Sequence, residues 1–210
     1  QGIGSKCGGT SQLPESGQRL CYGLNYSHPC INDNQTNLAY QDAQFIANPL
    51  NYVDHNDGTI TDRNTNKTWQ KCSKGQNPIN CAGLPSTIPW ETANDYCNNL
   101  VLADTDNWRL PTDHELMMIV NYGTFMPSID IKVFPRTSTI APYWSSEPIM
   151  NEENDYWVAD FQLGDIINRD LSLAGSVRCI KDDHVQCLPL VGEPEPNSYC
   201  GVCNTGKYEC

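Results

Sequence analysis

Between Trp90 and Leu100 the apolar residues Trp90, Ala93, Cys97 and Leu100 recur every three or four positions, while Glu91, Asn94, Asp95 and Asn98 fall between them. That spacing follows the 3.6-residue turn of a helix with one buried stripe, and it places Cys97 on the buried side. Thr87 and Pro89 mark its start, because a proline in the first helical turn gives up an N–H that has no partner there anyway. A second helix is predicted from Thr112-Asp113-His114-Glu115. This is a capping box, in which the threonine hydroxyl accepts from the Glu115 N–H and the Glu115 carboxylate reaches back to the Thr112 N–H. Leu116, Ile119 and Val120 supply its apolar side, and Gly123 is placed to end it.

On both sides of these helices the pattern shortens to strands. Val53, Ile60 and Trp69 flank a turn whose Asp57-Gly58 pair signals a hairpin. After Pro135 come Tyr143-Trp144-Ser145-Ser146, Tyr156 to Phe161, a Leu163-Gly164-Asp165 turn into Ile166-Ile167, and Ser176 to Ile180. Strand-rich sequence after two helices predicts an α+β fold. Residues 1–50 show no apolar period and contain Cys7, Cys21 and Cys30, so they read as a loop-rich, disulfide-held segment. Residues 51–183 form the patterned domain, and 184–210 are a tail with Cys187, Cys200, Cys203 and Cys210. Cys72 and Cys81 bracket a Lys, Gly, Asn and Pro loop that a short-range disulfide would close.

Composition narrows the setting. Eleven cysteines in 210 residues, the sequons at Asn25, Asn34 and Asn66, and a start at Gln1 point to an exported, glycosylation-competent protein with oxidised cysteines. The tail cysteines fit disulfides in that setting better than a four-thiolate zinc site. Eleven is odd, so at least one thiol has no partner within the chain. With 25 acids against 13 bases, a net charge of -12, bare nucleic acid and anionic membranes are poor partners. No apolar run approaches a membrane span, so membrane insertion is not expected. The four histidines are scattered, and no His-Glu-x-x-His, Gly-x-Ser-x-Gly or phosphate-binding glycine loop is present. No catalytic residues are assigned, and the expectation is a protein that is not an enzyme.

An ordered series of motifs carries a resemblance. Asp57 to Asp62 leads to Thr68-Trp69-Gln70-Lys71; then follow Trp90-Glu91-Thr92-Ala93 with Tyr96-Cys97, Trp108-Arg109-Leu110-Pro111-Thr112 with Glu115-Leu116, Tyr143 to Ser146, and Val177-Arg178-Cys179. Over about residues 50–183 the chain resembles the C-terminal domain family of the Legionella collagen-like adhesin, a family of exported bacterial domains. The resemblance implies a C-type-lectin-like fold, related to the formylglycine-generating enzyme, with two helices on a twisted antiparallel sheet. It also implies a Cys97–Cys179 disulfide. The reactive cysteine pair of the formylglycine-generating relatives has no counterpart among the core cysteines.

Several residues then invite two readings. Trp108 to Thr112 reads as a structural strand-to-helix junction, with Arg109 fixing a loop through its planar donor fork, in preference to a ligand platform. Trp69, Trp90, Trp144 and Trp157 read as core. Asp54 to Asp62 reads as a hairpin turn, because its glycine and twelfth position do not fit a calcium loop. Glu147, Asn151, Glu152, Asp155, Asn168 and Asp170 lie where lectin-type relatives hold calcium and sugar, so they are the candidate ligand residues, with Glu147, Glu152, Asp155 and Asp170 the candidate calcium ligands. Glu195-Pro196-Asn197 spells a lectin tripeptide but lies outside the resemblance. No other cofactor is expected. The expected partner is a glycan or protein at a cell surface, and the net charge disfavours sulfated polysaccharides except around Lys67, Lys71 and Lys74. The alternative is a subunit of an extracellular filament, pilus or surface layer, joined to copies of itself through the cysteine-rich ends.

Overall fold

A computed structural model describes residues 16–18, 20–22, 27–29 and 50–182. In chain order its elements are β1 (Leu20–Tyr22), β2 (Ser27–Pro29), β3 (Tyr52–Asp54), β4 (Thr59–Asp62), β5 (Lys67–Gln70), α1 (Trp90–Asn98), α2 (Asp113–Met118), β6 (Tyr143–Pro148), β7 (Asp155–Asp160), β8 (Asp165–Asp170) and β9 (Ile180–Asp182). They build an α+β architecture of antiparallel sheets: β3-β4-β5-β9, β6-β7-β8 and a separate β1-β2 pair. Within the loop-rich N-terminal segment β1 and β2 form a short ladder that the sequence pattern does not signal, since three-residue strands are too short to show an alternation. Asn25, Asn34 and the cysteines at 7, 30, 187, 200, 203 and 210 lie outside the described residues, as does the side chain of Cys21.

The β3–β4 hairpin forms around Gly58 (φ +95°), a left-handed backbone that favours glycine. The Asp57 carboxylate accepts from both the N–H and the hydroxyl of Thr59, locking the turn. Asn66 (φ +53°) turns the chain from β4 to β5, while the Thr68 of its sequon is buried in β5 against Thr61. α1 buries Ala93 and Cys97, as the spacing predicts. α2 opens on the full capping box, with both reciprocal bonds formed. Its end is a correction: the helix stops at Met118, with Ile119 as its C-cap. Gly123 serves a different contact, because a Cβ there would stand 2.1 Å from the Gly17 carbonyl oxygen.

Two buried clusters form the core. Ile60, Trp69 and Ile180 of the first sheet pack with Leu116, Ile119 and Val120 around α2 and with Tyr143, Ala159 and Phe161. Ala93 and Cys97 of α1 pack with Trp108, Leu110, Trp144, Val158, Val177 and Cys179. The Cys97–Cys179 disulfide stitches the second cluster, and Cys72–Cys81 closes the surface loop. With sequence separations of 82 and 9, the chain-entropy model assigns these bonds roughly 4.5 and 2.7 kcal/mol.

Residues 175–179 do not form the single strand that the pattern of Ser176 to Ile180 predicts. Instead the segment is a seam between the two sheets. On one side the Ser176 carbonyl accepts from Trp144 N–H; on the other, the Val177 and Cys179 carbonyls accept from Lys74 and Gln70 N–H. Only Ile180–Asp182 settles into a ladder, alongside β5. Gly175 is required by close approach, since a Cβ there would meet the Trp144 indole nitrogen at 2.6 Å. Arg178, within the seam, is fully buried. Its guanidinium lies 4.7 Å from the Phe134 ring centroid and 5.2 Å from that of Tyr143, and donates to the Thr137 hydroxyl at 3.0 Å. Burial holds its pKa below the ordinary arginine value.

Candidate binding site

At the Trp108–Thr112 junction a single bridge at Arg109, in place of the strand read from sequence, precedes α2. Trp108 is buried, and Arg109 exchanges both backbone hydrogen bonds with Ile180. The Arg109 guanidinium makes a two-pronged bond to Glu115, with both nitrogens at 2.8 Å. Lys67 and Asp182 complete the cluster: Lys67 pairs with both acids, and Arg109 also reaches Asp182. Burial alone would raise the pKa of Glu115, but the Arg109 fork, the Thr112 N–H and Lys67 outweigh it and bring the value down to about 2. The capping signal was legible in the sequence; Lys67 and Asp182, distant along the chain, were not.

The three lysines singled out in the sequence each have a partner in the domain. Lys67 is engaged by Glu115 and Asp182, Lys71 by Asp54, and Lys74 lies over the Tyr96 ring.

The candidate ligand residues gather around the three-stranded sheet. β7 and β8 pair in unbroken register: Asp155 opposite Asp170, Tyr156 opposite Arg169, Trp157 opposite Asn168, Val158 opposite Ile167, and Ala159 opposite Ile166. Side chains alternate across a sheet, so Asp155, Asp170, Trp157, Asn168, Ala159 and Ile166 share one face. The inner end of that face is covered, because Ala159 and Ile166 belong to the cluster around α2. The outer end is open. Trp157 is partly exposed and belongs to neither cluster, which departs from the core reading; Trp90 does pack at the core edge, donating to the Ser145 carbonyl at 2.8 Å.

Three of the six sequence candidates therefore converge, and Trp157 joins them. The Asn168 amide donates to the Asp155 carboxylate at 3.0 Å, which fixes both planes. Asp170 accepts from the N–H and hydroxyl of Ser172, and these bonds lower its pKa below the ordinary carboxylate value. Glu147 sits on β6, its N–H bonded to Ser145 Oγ. Asn151 (φ +69°) and Glu152 stand exposed in the β6–β7 turn. Among the described residues no three His, Cys, Asp or Glu side chains are grouped to hold a metal ion, so Glu147, Glu152, Asp155 and Asp170 do not form one carboxylate cage. The core reading of Trp157 fails because β7 buries Val158 and Ala159 in different clusters while Trp157 lies beyond both.

Chemically, the open end offers an aromatic ring, an amide and two carboxylates on a rigid sheet, an arrangement suited to binding. Among the described residues no helix is long and apolar enough to cross a membrane. The chain matches no curated protein sequence. Residues 58–181, more than half of the chain, match the family model described as the Lcl C-terminal domain, and the chain belongs to that family.

Proposed function

We propose that this protein is an exported bacterial binding module, displayed at a surface, that presents the β7–β8 face and neighbouring loops to a glycan or protein ligand without a catalytic step. Membership of the Lcl C-terminal domain family carries the reading. The open Trp157 face supports it, and the C-type-lectin-like arrangement expected of the family suits a scaffold that holds loops for recognition. Localisation outside the cell accords with the two disulfides. The occupied lysines and the 18 acids against 10 bases in residues 50–182 favour neutral glycans or proteins over sulfated polysaccharides. The test is a glycan array together with capture of surface proteins from host and neighbouring cells. Specific retention on either supports the reading, no retention on both refutes it, and retention by heparin at 150 mM salt would refute the charge reasoning.

One observation favours a second reading. Four cysteines are paired in the described domain, so seven, an odd number, remain in the flanks. A chain joined to its copies through those flanks would serve as a subunit of an extracellular filament. Disulfide-linked ladders on a non-reducing gel of native material would select this reading, and a monodisperse monomer would reject it.

A further inference from the structure

The face of β7–β8 carries an inference that rests on the binding-module reading. Asp155 and Asp170 stand directly opposite one another. Leu171 N–H bonds the Asn154 carbonyl one step outward, which makes 155/170 a non-hydrogen-bonded pair, the closer of the two antiparallel spacings. Like charges facing each other across such a pair repel. Among the described residues neither carboxylate has an ion-pair partner. Arg169, the one cation on these strands, alternates to the other face and donates to the Ala174 carbonyl. One pair inward on the carboxylate face is Trp157, partly exposed, opposite Asn168.

We propose that this face docks a lysine- or arginine-bearing segment of a partner protein, with one cationic head seated between Asp155 and Asp170 and against the Trp157 ring. Charge complementarity selects that occupant. A cation removes the repulsion between the carboxylates and is attracted by the face of an indole. The excess of acids over residues 50–182 raises the local concentration of basic partners. A neutral sugar would stack on Trp157 but leave the repulsion in place, and an anionic one would add to it. Calcium takes six to eight oxygens, whereas this face supplies two carboxylates and an amide, with no third carboxylate grouped beside them.

The experiment titrates the isotope-labelled full chain with a nonapeptide of alternating lysine and serine, followed by nuclear magnetic resonance, beside a glutamate–serine counterpart, a neutral oligosaccharide and calcium alone. The lysine peptide is expected to move the Trp157 indole and Asn168 amide signals. Its affinity should fall about tenfold in Asp155→Asn/Asp170→Asn and in Trp157→Ala, and should weaken with added salt. The asparagine pair preserves shape, so it keeps the test decisive if the tryptophan variant folds poorly. Equal affinity in the asparagine pair, or signals that move elsewhere, would overturn the proposal. So would movement of these signals by calcium or the oligosaccharide while the peptide leaves them unmoved. An oligosaccharide result of that kind would leave the binding-module reading standing, whereas failure of the glycan array and the surface-protein capture would remove that reading itself.

Discussion

Replacing Glu115 by glutamine keeps the shape of the side chain and removes the charge that Arg109, Lys67 and the Thr112 N–H all address. In the folded protein this carboxyl titrates near 2, against an ordinary value of 4.5. At 1.36 kcal/mol for each tenfold change in proton affinity, the depression corresponds to roughly 3 kcal/mol. The Glu115 side chain is only 8% exposed, but those of Lys67 and Arg109 are 24% and 35% exposed, so screening reduces the expected loss to roughly 2–3 kcal/mol. The sign follows from the depressed pKa. Ionised Glu115 stabilises the fold fully above about pH 4.5, and the contribution is lost as pH falls towards about 2. Urea unfolding of wild type and Glu115→Gln, followed by tryptophan fluorescence, should show the full gap at pH 7 and a closing gap between pH 4.5 and 2. Asp182 shares the same cations, so Asp182→Asn in both backgrounds measures how far the two acids are coupled. A gap below about 0.5 kcal/mol at pH 7, or one that stays constant to pH 2, would refute the assignment of Glu115 as the centre of this cluster.

Further outcomes follow from the core. Replacing Cys97 and Cys179 together by serine should cost roughly 4.5 kcal/mol, about 2 kcal/mol more than replacing Cys72 and Cys81, as measured by denaturant midpoints; equal costs would count against the loop-length account. Gly175→Ala should cost about 1–3 kcal/mol by displacing the Trp144 indole, visible as a changed near-ultraviolet circular dichroism band; an unchanged melting point would contradict the close approach. Arg178→Lys should destabilise more than Arg178→Met, because lysine keeps a buried charge and loses the planar stacking on Phe134 and Tyr143 whereas methionine loses both; calorimetry showing the reverse order would indicate a hidden counter-charge.

What could be read in advance was local. The α2 start is encoded within four residues, so Thr112 and Glu115 declared themselves. The helical face of Cys97 was likewise a matter of spacing, although its partner came from the family resemblance. Features that depend on distant elements stayed hidden. Lys67 and Asp182 lie 115 residues apart and meet only because β5 and β9 are neighbours. The seam at 175–179 looks like a strand because its residues alternate, yet its hydrogen bonds are divided between two sheets. Asp155, Asn168 and Asp170 were candidates by position, but Glu147, Asn151 and Glu152 were not drawn into the same cluster, since the β6–β7 turn carries the last two outward.

The order β3-β4-β5-β9 has a mechanical consequence. Successive strands run antiparallel, so Tyr52 at the start of β3 and Asp182 at the end of β9 emerge at the same end of the sheet, three strand spacings or roughly 14 Å apart. Tension applied between these two points pulls across the strands and peels them one bond at a time. On the β9 side only Ile180–Asp182 can peel before the load reaches Cys179 and passes through the disulfide to α1. Residues 98–178, which include α2 and the β6-β7-β8 sheet, hang as a closed loop off that covalent shortcut. Pulling on the chain from either side thus leaves the Trp157 face outside the line of force, and a ligand held there would feel strain on the rest of the domain last.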